Sequence, residues 1–598
     1  MSEIDFNSVF DSSNARYLNS EQLVNEFIWT DSFDSLLIQK NQMVFGSRGS
    51  GKTALIKMLS HSNLSKLGEL HSKALELVAK KSFIATYVPL KVEWVSTLNN
   101  FEDKNCTYFM WSLNLATCAY LLDTLKSCIF SYIPDEIEKL RTERWISKEI
   151  SRFWLNGDEK NSFIDIKNEL ENIEYLKNIS FNKSSMGLDL SDAEQNIGSA
   201  FHASLFRPFS IVAKASSKYF DLPNDNPWVI CIDEAEFLKK EHHQILNTHM
   251  RSASDLTFKI TTMPYRHHTL DTNVEANINV GHNLSYVYID KLGTSNQDTR
   301  SADKKIKLFA EKLFNNRLAT FDVPGNFSFE NVVGKSPLLE PMSEIIDDIE
   351  LLRLITKHCS ESTVSRANKL YNLDDKTQFN DSIARKLRGA LLLKEEWGKI
   401  AGNKSPTLYS GASLIARCSD GNPRRLFRIF NHLLSDMKLN ENSKLTISPK
   451  SQSRKLMSFS FSELEVIKFE TKGKDAFDTL TKIGNYLRDK MMNDKIGSDI
   501  HRSFKINEHI ENSIWENIKT AVDLGLLYPK IKKSQNVQIL FPSKEGEFDI
   551  ANCLSPHFYL LPRTGNSISL TTILNNPDYK KYQEKIGAKQ MDFFDDGN

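Results

Sequence analysis

Short apolar runs of strand length recur along the first half of the chain. Helix-length segments lie between or after them, among them 108–133 and 304–318. Strands that alternate with helices predict a parallel sheet, and so an α/β fold. The predicted strands are 43–45, 83–90, 228–232, 256–263 and 286–290.

The pattern changes along the chain in a way that predicts several domains. A chain of 598 residues is too long for one hydrophobic core. The polar, serine-rich stretch 182–198 predicts a mobile loop, and 451–458 predicts a linker. The expected parts are an amino-terminal segment at 1–40, a sheet core at 41–330 with a helical insertion at about 105–215, a helical lid at 331–450, a winged-helix-like domain at 459–575 and a tail at 576–598.

A phosphate-binding loop follows the first apolar run. Its sequence is Gly46-Ser47-Arg48-Gly49-Ser50-Gly51-Lys52-Thr53, the complete G-x-x-x-x-G-K-[ST] pattern. Glycines let backbone N–H groups turn toward phosphate oxygens, and a helix begins with the positive end of its dipole at the anion. We expect Lys52 to reach the β- and γ-phosphates of ATP and Thr53 to hold Mg²⁺.

A second acidic site follows the run Trp228–Ile232, which ends in Asp233 and Glu234. Asp233 is expected to bind Mg²⁺ directly or through water, and Glu234 to orient and deprotonate the attacking water. A solvated acidic pair at an ordinary strand end is the alternative. Together with the upstream loop, the Asp-Glu pair favours hydrolysis over nucleotide storage.

Composition limits the other function classes. Lys plus Arg and Asp plus Glu both number 76, so any surface for nucleic acid has to be local. Seven cysteines lack C-x-x-C spacing, which argues against a zinc site or a disulfide framework and favours a reducing cytoplasm. The chain start lacks the pattern of a signal peptide, and no apolar run reaches membrane-spanning length. The adjacent pairs His242-His243 and His267-His268 do not share a helix face as metal ligands do, and we expect them at the surface.

The last third of the chain alternates helical segments with the strand-like stretch 537–542. Helices followed by a short hairpin suggest a winged helix, whose wing would carry Lys530, Lys532 and Lys533. Basic wing residues commonly contact DNA phosphates. A solvated turn without a ligand fits the sequence equally well.

The phosphate loop, the Ile-Asp-Glu-Ala strand end, the Thr261-Thr262 strand end and Gly421-Asn422-Pro423-Arg424 at a helix start together resemble the origin-recognition and initiator-like branch of AAA+ P-loop ATPases. The resemblance implies a helical lid and places this chain among the bacterial relatives of that branch. Many of those relatives look like components of mobile-element or antiphage-defence systems. The long insertion before Asp233 departs from the family pattern.

The resemblance also implies two sensors of the γ-phosphate. Arg424 matches the second sensor, which reaches the phosphate from the lid, and Arg425 is the neighbour that it could be confused with. The first sensor maps to Thr261 or Thr262, and we assign it to Thr262. An arginine finger from a neighbouring subunit has two candidates that flank the sensor strand, Arg251 and Arg266.

The tail contains Gln590-Met591-Asp592-Phe593-Phe594, which resembles the short peptide that binds the bacterial sliding clamp. Exposed aromatic residues at a polar chain end need an apolar pocket. Docking of the same aromatics on the protein's own surface is the alternative. A clamp partner would place the protein at replicating or repaired DNA.

These observations predict an ATPase that couples its nucleotide state to DNA binding or complex assembly, and the family resemblance implies a role in antiphage defence or DNA maintenance. The alternative is a switch resembling STAND ATPases, which oligomerises and activates a separate effector. A nucleotide-binding scaffold with negligible turnover is the third option. The first hypothesis predicts salt-sensitive DNA affinity, and the second predicts a change of mass with ATP alone.

Overall fold

The computed structural model describes 4–5, 9–10, 15–92, 105–222, 227–274, 284–289, 299–320, 327–340, 347–373, 375–400, 404–435, 438–439, 445–497, 500–507, 510–530, 544–563 and 565–576. The chain forms two compact units. We call them the sheet unit, 13–46 with 51–289, and the carboxyl-terminal unit, 1–12 with 47–50 and 290–598. The expected tail motif lies outside the described residues.

The sheet unit contains a five-stranded parallel sheet, and this confirms the predicted α/β fold. Every strand coincides with a predicted apolar run. In their order across the sheet the strands are Ile84–Pro89, Trp228–Asp233, Thr257–Thr262, Gln42–Phe45 and Ser285–Tyr288. We call three of them the acidic strand (Trp228–Asp233), the sensor strand (Thr257–Thr262) and the loop strand (Gln42–Phe45).

The loop strand pairs with the sensor strand on one side, and its residues are buried because both neighbours and the covering helices exclude water. Val44 and Ile56 belong to one apolar core with Val229 of the acidic strand. This core fixes the carboxyl ends of the loop and acidic strands at the same edge of the sheet, as parallel pairing requires.

Helices make up much of the remaining described part of the sheet unit, including the interval of the expected insertion. The helix Phe163–Ser185 includes four residues of the stretch 182–198 and the helix Asp192–Gln195 another four, while the other nine lie outside helices, so the mobile loop expected there stays a prediction. Ser191 and Glu194 form a capping box, which explains the short second helix. The α-helices of this unit are Ser20–Glu26, Asp31–Leu36, Lys52–Met58, His61–Gly68, Ser72–Ala79, Asn105–Tyr132, Glu136–Trp154, Phe163–Ser185, Asp192–Gln195, Arg207–Ser217 and Lys240–Ser252.

The carboxyl-terminal unit is mainly helical. Its longer helices are Thr299–Thr320, Asp348–His358, Glu361–Tyr371, Arg385–Ile400, Pro423–Leu434, Pro449–Glu465, Gly473–Asn493 and Asn512–Asp523. Its shorter ones are Phe329–Val333, Thr377–Phe379, Ala412–Cys418 and Leu570–Leu574, with a π-helical turn at Asn380–Ala384. The predicted linker at 451–458 is wrong because these residues lie inside the helix Pro449–Glu465, which Ser448 caps at its start.

A four-stranded sheet lies near the end of this unit, with strands in the order Asn566–Ser569, His501–Ile506, Gly546–Ile550 and Leu527–Pro529. A two-stranded pair joins Ile4–Asp5 to Lys438–Leu439. The predicted strand 537–542 lies outside the described residues, so the winged helix stays a prediction, as do the domain limits. Within the described part of the chain, no helix combines the length and apolar character needed to cross a membrane.

Candidate nucleotide site

The phosphate loop needs glycine at two of its turns. Gly49 has a φ of 82° and Gly51 a φ of 95°, a left-handed conformation that side chains with a Cβ rarely adopt. Gly51 directly precedes the helix Lys52–Met58, which we call the loop helix. The sequence signature therefore adopts the strand–loop–helix order that phosphate binding requires.

Lys52 lies at the start of the loop helix and is buried. Its Nζ donates a hydrogen bond to the Gly46 carbonyl at 2.9 Å and lies 4.0 Å from Glu236 Oε1. Glu236, which sequence reasoning missed, has a side chain that is only 8% exposed. Burial raises the pKa of Glu236, and the charge of Lys52 opposes this. The sequence pointed to Glu236 only through its position two residues after Glu234.

Asp233 ends the acidic strand and is buried. Its carboxylate accepts hydrogen bonds from the Tyr87 hydroxyl, at 3.0 Å, and from the Thr261 hydroxyl. Burial and the Asp233 charge raise the pKa of Tyr87, so this phenol stays a donor. Asp233 is thus held by two donors from the flanking strands.

Thr261 also contacts Glu234, because its Oγ1 accepts the Glu234 backbone N–H at 3.0 Å. Thr262 is buried, and its hydroxyl donates to the Met263 carbonyl at 3.4 Å. The structure therefore brings Thr261 to both acids. Our assignment of Thr262 as the first sensor stays a prediction.

Glu234 follows the acidic strand in a left-handed conformation with a φ of 65°. Its Oε2 accepts a hydrogen bond from Arg16 Nη1 at 2.8 Å, an ion pair that the sequence did not predict. Burial and then the Asp233 charge raise the pKa of Glu234, and the Arg16 charge lowers it. Contact between residues 218 positions apart leaves no local pattern in the sequence.

The residues fit a nucleotide with Mg²⁺. Oxygen ligands such as the Thr53 hydroxyl and the Asp233 carboxylate are those that Mg²⁺ prefers. In the part of the chain that the structure describes, no hydrogen-bond donor reaches the buried Glu236 Oε2. That part also contains no group of three or more His, Cys, Asp or Glu side chains arranged for a metal. A site of one carboxylate, one hydroxyl and phosphate oxygens does not need such a group.

The tip of the phosphate loop, 47–50, belongs to the carboxyl-terminal unit, where Asn422 and Arg424 contact it. Asn422 Nδ2 donates to the Arg48 carbonyl at 3.0 Å, and a Cβ at Gly49 would lie 3.0 Å from two Arg424 side-chain carbons. Burial lowers the pKa of Arg424, and the Arg48 charge adds to this. The assignment of Arg424 as the second sensor stays a prediction.

Arg425 has a different environment from its neighbour. It is buried and donates to Glu463 at 2.8 Å and to the carbonyls of Leu524 and Gly525 at 3.1 and 2.9 Å. It therefore joins the helix Pro423–Leu434 to the residues that follow the helix Asn512–Asp523.

The two arginine-finger candidates lie in the sheet unit. Arg251 is exposed in the last turn of the helix Lys240–Ser252. Arg266 is half-buried in the segment after the sensor strand. Neither position tests the assignment, which stays a prediction.

The expectation of surface histidines is wrong for His242, His243 and His267, which are fully buried. His243 Nε2 bonds the Ala235 carbonyl at 3.0 Å, and its Nδ1 accepts the His268 backbone N–H at 3.3 Å. Of the four, His268 alone is exposed. His242 and His243 are adjacent in a helix that is covered on two sides, so both side chains are buried. The sequence pattern of two adjacent histidines did not indicate this burial.

Of the three lysines expected on a wing, the structure describes Lys530. Its Nζ donates to the Gly565 carbonyl at 2.9 Å and lies 3.4 Å from Asp549 and 3.7 Å from Glu547. Lys532 and Lys533 lie outside the described residues, as do the tail residues Gln590, Met591, Phe593 and Phe594.

Comparison with known proteins adds the family. A family model described as ORC-CDC6-like matches residues 8–570, which is most of the chain. No curated protein and no solved structure matches. The match confirms the resemblance to the origin-recognition branch, and that family implies an AAA+ ATPase in general. With this match and the loop and acidic strand in place, the chain belongs to the ORC-CDC6-like family.

Proposed function

We propose that this protein binds and hydrolyses ATP at the sheet edge formed by the loop and acidic strands. The observation that carries the proposal is the placement of three residues in one unit: Lys52 at the start of the loop helix, and Asp233 and Glu234 at the end of the acidic strand. The phosphate-binding role falls to Gly46, Ser47, Arg48, Gly49, Ser50, Gly51, Lys52 and Thr53.

Thr53 and Asp233 would hold Mg²⁺, which neutralises charge on the transferred phosphoryl group when it is bound. Lys52 would bind the β- and γ-phosphates in place of the Gly46 carbonyl. Glu234 would accept the proton of the attacking water. Thr262, with Thr261 as its competitor, and Arg424 would report the γ-phosphate.

Replacement of the base tests this assignment. We expect Glu234→Gln to lower ATP turnover at least 100-fold while a fluorescent ATP analogue still binds, because the amide cannot take a proton. The exposed Glu241→Gln serves as the matched control and should keep wild-type turnover. Full turnover in Glu234→Gln would remove Glu234 from the mechanism and favour the scaffold.

We further propose that nucleotide state passes to the carboxyl-terminal unit through the loop tip. Arg48 provides three contacts there: its N–H donates to the Asp523 carbonyl at 3.0 Å, its guanidinium pairs with Glu470 at 3.0 Å, and its carbonyl accepts from Asn422. These contacts support a response of that unit to phosphate at the loop. The output proposed from the family resemblance is DNA binding or complex assembly, in antiphage defence or DNA maintenance.

The same contacts favour the second candidate, a signalling switch that oligomerises on ATP and activates an effector. Turnover measured with and without double-stranded DNA, together with light-scattering mass, separates the two. Stimulation by DNA supports the DNA-associated ATPase. A rise of mass with ATP alone, and turnover indifferent to DNA, supports the switch.

A further inference from the structure

The ion pair between Arg16 and Glu234 connects the amino-terminal segment to the residue that we propose as the base. Arg16 Nη1 lies 2.8 Å from Glu234 Oε2, and the two side chains are 33% and 21% exposed. At this distance the guanidinium donates a charge-assisted hydrogen bond, which is stronger and more directional than a neutral one. The pair therefore restricts the orientation of the Glu234 carboxylate.

The segment that carries Arg16 is itself anchored. Lys57, on the loop helix, donates from Nζ to the carbonyls of Ala15, Arg16 and Leu18 at 3.2, 3.1 and 2.8 Å. An ammonium group has three donors, and these three acceptors use all of them. Lys57 thus ties the backbone at Arg16 to the helix that begins at the phosphate loop.

The charges around Glu234 make its ion pair with Arg16 more important. Glu234 lies beside Asp233 and near Glu236, and both carboxylates repel it. The charge of Arg16 and, more weakly, that of Lys52 oppose this repulsion. Lys52 donates to the Gly46 carbonyl and lies near Glu236. Arg16 donates a hydrogen bond directly to the Glu234 carboxylate.

We propose that Arg16 is a positioning residue for ATP hydrolysis, which holds Glu234 through Oε2 so that Oε1 accepts the proton of the attacking water. The inference rests on the proposed role of Glu234 as the base. Misplacement of a reacting group by about 1 Å can cost 100-fold in rate. Loss of the guanidinium is therefore expected to lower kcat without weakening nucleotide binding.

The test compares Arg16→Ala with Arg16→Lys in the full chain. We expect Arg16→Ala to lower kcat about 10- to 100-fold, with the Kd of a fluorescent ATP analogue changed less than twofold. Arg16→Lys should recover part of the lost kcat, because an ammonium can still pair with the carboxylate. Arg141→Ala, which removes an exposed ion pair with Glu138, is the control and should behave as wild type.

Two further variants keep the test decisive. Lys57→Met releases the anchor and should lower kcat in the same direction as Arg16→Ala. In a Glu234→Gln background, Arg16→Ala should cause no further loss, because both changes act through the same carboxylate.

Unchanged or increased kcat in Arg16→Ala would overturn the proposal, as would an equal loss of kcat and nucleotide binding in both Arg16 variants. Full turnover in Glu234→Gln would instead overturn the proposed function. Failure of the Arg16 proposal can therefore be distinguished from failure of the proposed function.

Discussion

Single hydroxyl groups organise the acids of the candidate site. Thr261 Oγ1 donates to Asp233 and accepts from the Glu234 backbone, so one side chain fixes both residues. The neighbouring Thr262 bonds the Met263 carbonyl instead. An alternation of side chains along a strand sends neighbours to opposite faces, which explains the difference.

Thr261→Val should therefore lower kcat about 10-fold, because a lost hydrogen bond to a buried carboxylate costs about 1–3 kcal/mol. Thr262→Val makes the same change one position away, at the residue proposed as the first sensor, and the comparison separates the roles of the two threonines. Steady-state turnover and nucleotide affinity of both variants provide the measurement. A larger loss in Thr262→Val would support the sequence-based assignment of the sensor to Thr262.

At the scale of elements, the helix Lys240–Ser252 places neutral histidines beside the acidic strand. Burial lowers the pKa of His243 to about 3, against the hydrogen bond to the Ala235 carbonyl and together with the nearby His268 and His242. Burial also lowers the pKa of His242 to about 4. Both side chains therefore stay uncharged in the folded protein throughout the physiological range.

Stability should fall as the pH falls from about 6.5 toward 4. The unfolded chain binds protons at its histidines near pH 6.5 while the folded chain does not, so protonation favours unfolding. At pH 5.5 each such histidine should cost about 1 kcal/mol relative to pH 7.5. Urea unfolding at the two pH values measures the loss.

His243→Gln should reduce that pH dependence, because it removes one of the groups that titrate on unfolding. The exposed His268→Gln is the control and should keep the wild-type dependence. Equal pH dependence in wild type and His243→Gln would show that His243 is not responsible.

Elements with an apolar signature could be predicted from the sequence, and others could not. All five strands of the sheet unit follow apolar runs, because strands buried on both faces need them. The helix Pro449–Glu465 buries polar groups instead: Gln452 accepts from the Gly411 N–H at 2.8 Å and donates to the Val333 carbonyl at 2.9 Å. Polar residues satisfied by distant backbone leave no hydrophobic periodicity, so this helix resembled a linker.

Some residues of the candidate site could likewise be predicted from the sequence, and others could not. Lys52, Asp233 and Glu234 belong to motifs that are contiguous in the sequence, and motif chemistry located them. Arg16 and Glu236 act through contacts that the fold alone creates. Pairing between distant segments depends on packing, which a single sequence does not record.

At the scale of the whole molecule, a residue far along the chain supports the phosphate loop. Gly525 has a φ of 69°, and a Cβ there would lie 2.6 Å from Ser47 Oγ. Both residues belong to the carboxyl-terminal unit. This contact lets the region after the helix Asn512–Asp523 influence the loop tip directly.

Gly525→Ala should therefore weaken ATP binding several-fold, since the new methyl group displaces Ser47 from its position in the loop. Alanine in the left-handed region also costs about 1 kcal/mol of stability by itself. Gly187→Ala separates the two effects, because Gly187 has a φ of 75° and nothing within 4 Å of a Cβ. Thermal unfolding and nucleotide titration of both variants give the comparison. Equal ATP affinity in the two variants would show that the carboxyl-terminal unit does not control the loop.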